Sequence, residues 1–241
     1  MKANKWRRAV LGGVLMVAGG WPMEGQAQQT VYWRNGAGVS NWWDGANPWY
    51  RTCDRWWVDR PDKNTCNEWD PVGPNIVRFD NGSDLTMSVN GAYFQVHQLM
   101  FDSGTGARTM TARDSGGIDM RSGSSTTKIE NNDADAQVLN TPVAPYTTTE
   151  INPVSGNLTF NGPIYLKSNW INVWGDNQKT LNLNGVVNAD GGNGGLAVKQ
   201  NSIVVLTNNN TFAGAIWVEK GTVRLDGHTN AVGASGIVNV G

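Results

Sequence analysis

From Asn75 to the C-terminus the chain alternates short apolar runs with Gly, Asn and Asp. The runs are "NIVRF", "LTMSV", "FQVHQLMF", "RTMTA", "GGIDM", "GNLTF", "PIYL", "WINVW", "TLNLNG", "SIVVL", "AIWV", "GTVRL" and "GIVNV". Runs this short, with apolar and polar residues alternating and turn formers between them, predict strands. "GNLTFNG", "KTLNLNG" and "GTVRLDG" end in Asn-Gly or Asp-Gly, which suits tight hairpins, so an up-and-down barrel or sandwich is one expectation. Monotony favours another: no helix interrupts the strands, small polar residues recur at the corners, and successive runs share one pattern. Coils stacked on one another bury such a repeated apolar face and pair each backbone with its neighbours. Asn and Thr at equivalent corners would then form ladders along the stack. The expected fold is all-β, a right-handed parallel β-helix (β-solenoid) over residues 75–241.

Composition agrees. Of 241 residues 30 are Gly and only 16% are charged, a balance that suits a β-rich secreted or surface protein. The length fits one domain of about 200 residues.

The first 27 residues carry a different signal. Lys2, Lys5, Arg7 and Arg8 precede the short apolar run "AVLGGVLMVAGGW", and Gly25 and Ala27 stand at the −3 and −1 positions of a cleavage site. The run is shorter than the roughly 20 residues a spanning helix needs, so export with cleavage is expected. Removal of residues 1–27 leaves 15 basic and 19 acidic residues, a net charge of −4. That balance offers no basic stripe to a phosphate backbone and argues against nucleic-acid binding. Export also decides the cysteines. Cys53 and Cys66, the two in the chain, are expected to form a disulfide. A loop of this size gains about 3 kcal/mol on closure.

Residues 28–74 form a Trp-rich head. Trp33, Trp42, Trp43, Trp49, Trp56, Trp57 and Trp69 crowd into it with both cysteines. The open end of a solenoid needs a cap, and the head is expected to be one. Trp42, Trp43, Trp49, Trp56 and Trp57 are also candidate glycan contacts. Asp44, Asp54, Asp59, Asp62, Glu68 and Asp70 lie among them, and paired carboxylates beside Trp would suit a glycosidase. Solvated acids on a cap are the expectation.

"GGLAVKQNSIVVLTNNNTFAGAIWVEKGTVRL" resembles the autotransporter-associated β-strand repeat. Gly195, Leu196 and Lys199 match its opening, and Val204 and Leu206 its second strand. Asn210, Thr211, Phe212 and Gly214 match its turn; Gly221, Thr222, Val223 and Leu225 match its close. Gln200-Asn201-Ser202 and Ala215 depart from the glycines usual there. The resemblance is strong over residues 195–225 and implies a secreted passenger whose solenoid continues beyond the C-terminus. In that reading Ile216 and Val218 point inward, as do Val223 and Leu225, while Trp217 and Arg224 face out.

Candidate chemistry is sparse. His97 lies in "YFQVHQLMF" and is expected to face solvent; His228 lies in a turn without a neighbouring acid. Asp133 and Asp135 in "NNDADA" lack the spacing of a calcium loop and are expected in a solvated turn. Asn81, Asn157 and Asn209 stand in glycosylation sequons. No nucleophile elbow or phosphate loop is present. No cofactor, metal or catalytic residue is expected. The functional expectation is a non-enzymatic scaffold or adhesin at the cell surface, outer membrane-associated or extracellular, with surface glycans or proteins of a host or neighbouring cell as partners. The alternative is a polysaccharide-binding or polysaccharide-cleaving β-helix. A lyase needs acids with Arg or Lys on neighbouring coils, and no such cluster stands out along the sequence past residue 75.

Overall fold

The computed structural model describes residues 30–33, 56–58, 75–79, 85–90, 93–113, 116–123, 126–176, 178–227, 232 and 238–241. Residues 1–27, most of the 28–74 head with Trp42, Trp43, Trp49, Cys53 and Cys66, and also Asn81 and His228, lie outside the described residues.

Two strands, β1 (Thr30–Trp33) and β2 (Trp56–Val58), pair antiparallel, setting Trp33 opposite Trp56 and Tyr32 opposite Trp57. Next come β3 (Asn75–Phe79), β4 (Leu85–Asn90), β5 (Tyr93–Phe101) and β6 (Arg108–Arg113). Strands then recur in threes: β7 (Gly117–Met120), β8 (Thr127–Asn131) and β9 (Gln137–Asn140); β10 (Val143–Pro145), β11 (Thr149–Pro153) and β12 (Leu158–Phe160). The pattern continues with β13 (Ile164–Tyr165), β14 (Ile171–Val173) and β15 (Thr180–Leu183), then β16 (Val187–Asn188), β17 (Leu196–Val198) and β18 (Ile203–Leu206). The last described strands are β19 (Ile216–Val218), β20 (Thr222–Leu225) and β21 (Val238–Val240).

From β3 onward every described pairing is parallel, and β1 also lies parallel to β3. Parallel pairing of strands successive by threes excludes the up-and-down barrel and gives a β-solenoid of about six turns. One face stacks β7, β10, β13 and β16; a second stacks β8, β11, β14, β17, β19 and β21; a third runs from β4 to β20. Thr127, Thr149, Ile171, Leu196, Ile216 and Val238 stand in one column, so a coil takes 20 to 25 residues. Among the described residues no helix is long and apolar enough to cross a membrane.

The interior consists of such columns. Met110, Leu139, Phe160, Leu183 and Leu206 form one, all buried. Its neighbour changes character along the axis: Arg108 and Gln137 stand where later coils carry Leu158, Leu181 and Val204. Arg108 is 1% exposed, and its guanidinium lies 5.3 Å from the ring centre of Phe79. Phe79 stacks in turn on Phe101 at 5.1 Å. On the second face buried Thr127 and Thr149 share a hydroxyl–hydroxyl bond of 2.7 Å where later coils carry Ile171 and Leu196.

Ladders form at the corner after the third face. The Asn184 amide donates to Asn161 at 2.9 Å, the Asn161 amide to Asn140 at 2.7 Å, and the Thr207 hydroxyl to Asn184 at 3.1 Å. Side chains one coil apart are about 4.8 Å apart, the spacing at which amides chain into a ladder.

Three details differ from the sequence reading. His97 is buried, 8% exposed, because β5 turns a corner there. Residues 93–96 pair with β7 and 98–101 with β8, and His97 is skipped where β3 pairs with Val96 and then Gln98. The bulge re-aims a side chain that strict alternation assigns to solvent. The "NNDADA" turn is solvated only in part, with residues 134–136 exposed. Asp133 is buried and accepts the Thr105 and Asp135 amides, each at 2.8 Å, while Asn131 donates to the carbonyls of Asp135 and Asn157. Finally, Leu225 follows the column of Leu206 but is 52% exposed, since β20 ends that sheet among the described residues.

Burial lowers the pKa of His97 below its ordinary value of 6.5. The fold therefore favours neutral imidazole. That contribution to stability is complete above pH 6.5 and is lost as pH falls toward the lower folded value. Thermal stability is expected to fall as pH drops below 6.5, with a shallower slope in His97→Gln. An unchanged slope in melts across that range would assign the fall to other groups.

Candidate functional site

On the second face the outward residues of β8, β11, β14, β17 and β19 form the column Lys128, Glu150, Asn172, Ala197 and Trp217. The alternation that buries Leu196 and Val198 aims Ala197 out of the barrel, between a larger residue on each side. Ala197 is 3% exposed because its neighbours rise past it. The result is a dent of about 320 Å³ with Ala197 as floor and Trp170, Asn172, Lys199, Trp217 and Glu219 as walls.

Each wall has a local cause. Trp170 enters β14 alongside Gly195, where an added Cβ would sit 2.9 Å from the indole ring. Bare backbone at Gly195 thus gives the ring its place. Trp217, 44% exposed, stands on β19 two coils from Trp170. The Lys199 ammonium pairs with the Glu219 carboxylate across adjacent coils and closes one side without leaving net charge. An exposed pair of this kind adds little stability, so its value lies in shape and hydrogen bonding.

The same face is differently furnished toward the N-terminus. Glu130 accepts from Asn132 at 2.8 Å and Asn152 at 3.3 Å, with Lys128 at 3.3 Å. Burial pushes its carboxyl up, but the hydrogen bonds and Lys128 outweigh that and hold it below the usual carboxylate range. That network is polar and centres on Glu130. The two-tryptophan dent is where this face opens aromatic surface.

Residues singled out from the sequence scatter. Trp56 and Trp57 lie on β2, far along the chain from the dent. Asn210 is buried, and its side-chain oxygen accepts the Val187 amide at 2.8 Å. Thr211 donates its amide to the Val187 carbonyl, so residues 210–212 stack on β16, and Phe212 is buried in the core. A Cβ on Gly214 would lie 2.5 Å from the Gly194 carbonyl oxygen, and one on Gly221 (φ 121°) 2.4 Å from that of Gln200. Thr222 and Leu225 are exposed on β20. These matches serve the stacking of coils. Of the residues singled out from the sequence, Trp217 and Lys199 join the dent, and Trp170, Asn172, Ala197 and Glu219 were not foreseen. Their signal was the coil period: Trp170 and Trp217 stand two periods apart, with a small outward residue in the coil between.

Among the described residues no three His, Cys, Asp or Glu side chains gather as a metal site. The dent offers two indoles, an amide and one ion pair. That set stacks on flat apolar faces and hydrogen-bonds hydroxyls. No family model, curated protein or solved structure matches the chain.

Proposed function

We propose that this chain is an exported β-solenoid scaffold that adheres to neutral polysaccharide through the dent between Trp170 and Trp217. The observation that carries the reading is that pair of indoles across an alanine floor, rimmed by Asn172 and a self-neutralised Lys199–Glu219 pair. Sugar rings present flat C–H faces to aromatics and hydroxyls to the rim, and need no net charge in return. The signal-like segment of residues 1–27 supports export to the cell surface, and the repeat resemblance of residues 195–225 supports a passenger-type protein.

The rest of the reading follows from chain physics. Parallel crossovers are overwhelmingly right-handed, and the solenoid is read as right-handed. Pairing of β1 with β3 puts head residues on the first edge of the stack, in keeping with a Trp-rich cap stapled by Cys53–Cys66.

The test is affinity electrophoresis through gels containing soluble β-glucan, xylan, mannan or galactan. Wild type is expected to be retarded by at least one. Trp217→Ala is expected to bind about tenfold or more weakly, with stability changed by no more than about 0.5 kcal/mol. Unretarded migration through all four polymers, or release of unsaturated oligosaccharides from any of them, would overturn the reading.

A further inference from the structure

The first face carries a second dent of about 320 Å³, lined by Asp119, Ala144, Tyr146, Tyr165, Lys167 and Asp190. It repeats the plan of the first. Asp119, Ala144, Tyr165 and Asn188 form an outward column, and buried Ala144 is its low point. Beside it the Arg121 guanidinium lies 3.6 Å from the ring centre of Tyr146. The Lys167 ammonium is 5.0 Å from that ring and 2.8 Å from Asp190. Arg121 also pairs with Asp119 at 3.3 Å, so both cations are neutralised within the dent. Burial pushes the Asp119 carboxyl up, partly offset by Arg121 and Lys167. Here coil stacking gathers acids with Arg and Lys from separate stretches of sequence, a cluster that linear inspection did not reveal.

The two dents meet at one edge of the solenoid. Lys167 on the rim of one and Trp170 on the wall of the other are three residues apart, at most roughly 10 Å along the chain. Asn169 between them donates to the Pro145 carbonyl at 3.0 Å and pins that turn. In the next coil the crossing from Asp190 to Ala197 runs through Gly191, Gly192, Asn193, Gly194 and Gly195. Cβ atoms at Gly192 and Gly194 would lie 1.9 and 2.3 Å from the carbonyl oxygens of Lys167 and Asn169, so this ridge has to be nearly bare backbone. A glycine-rich ridge separates two aromatic-lined dents whose charges are paired.

We propose that one neutral polysaccharide strand crosses this glycine ridge and fills both dents, as two subsites of a single cleft. The inference rests on the glycan-binding reading of the tryptophan dent and extends it to the adjacent face. Charges paired within each dent leave hydrogen-bonding capacity without net charge, which suits hydroxyl-rich, uncharged rings rather than a polyanion. Linked subsites multiply affinity: a chain spanning both binds far more tightly than a fragment filling one, by about 10²-fold or more.

The experiment measures binding of the full chain to whichever of β-glucan, xylan, mannan and galactan retards it. Oligosaccharides of the same polymer are titrated from the disaccharide upward. Affinity is expected to rise steeply once the fragment spans both dents. Tyr165→Ala and Ala144→Gln (which fills the dent from its floor) are expected to weaken polymer binding about tenfold or more. Both are expected to weaken binding of the shortest bound fragments much less than binding of the polymer. Thermal melts check that each variant is folded, and either variant alone suffices. If folded Tyr165→Ala and Ala144→Gln bind polymer like wild type while Trp217→Ala does not, the tryptophan dent acts alone and the two-subsite cleft is overturned. Equal losses for short and long chains would also overturn it. Failure of wild type to bind any of the four polymers removes both readings together.

Discussion

Gly185→Ala is expected to lower stability by about 3 kcal/mol, near the upper end for overpacking a tight site. Gly185 sits in the turn after β15, where a Cβ would stand 2.0 Å from the Gly162 carbonyl oxygen and 2.5 Å from its carbon. Those atoms are backbone of the coil beneath and cannot swing away as a side chain would. Gly162 in turn leaves no room over the Thr141 carbonyl, 2.2 Å from its own Cβ position. The Gly185 and Gly162 amides donate to the carbonyls of Phe160 and Leu139, so the corner is closed by hydrogen bonds as well. One methyl group must therefore pry two coils apart beside the Asn161–Asn184 rung. For a chain of this size the melting midpoint should fall by roughly 6–12 °C. Gly123, with nothing within 4 Å of its Cβ position, is the control, and Gly123→Ala should stay within about 0.5 kcal/mol. Thermal melts and amide exchange at the Gly162 and Gly185 N–H groups give the readout. Wild-type protection in Gly185→Ala would mean that the corner has space the close approach denies.

The same corner explains what the sequence made legible. Alternating runs ending in Asn-Gly mark both a strand and its corner, and every quoted run from "NIVRF" to "GIVNV" overlaps a strand. Asn140, Asn161 and Asn184 recur because each must reach the next across one coil. Residues 126–153 were harder to read. There β8, β9 and β11 turn Thr127, Gln137 and Thr149 inward, and apolar alternation disappears although the residues are buried. Interior polar groups matched by hydrogen bonds are invisible to a hydrophobicity pattern. Both dents were hidden for a different reason. Their residues come from coils 20 to 25 residues apart, and no local motif joins Trp170 to Trp217 or Asp119 to Lys167. His97 escaped because a bulge breaks the alternation that placed it.

Leu206→Asp is expected to unfold the C-terminal coils, whereas Leu225→Asp should cost at most about 1 kcal/mol. The two leucines share one column and point the same way, Leu206 resting on Leu183 and Leu225 on Leu206. Leu206 is fully buried, and a carboxylate there would stand among Leu183, Val204 and Phe212 without water. Burying such a charge costs several kcal/mol, or drives its protonation at nearly the same expense. Because each coil of a solenoid leans only on its neighbours, the damage should spread from β18 to β19 and β20 before it reaches β12. Leu225 faces the same interior axis, but among the described residues no strand lies on the far side of β20, and its side chain is half exposed. Alternation tells which side of a strand a residue takes; it does not tell which coil is last. Limited proteolysis separates the cases: Leu206→Asp should be cut between residues 184 and 227, and Leu225→Asp should resist like wild type. Equal susceptibility of the two variants would mean that Leu225 is covered as Leu206 is, and that β20 is an inner strand of a longer stack.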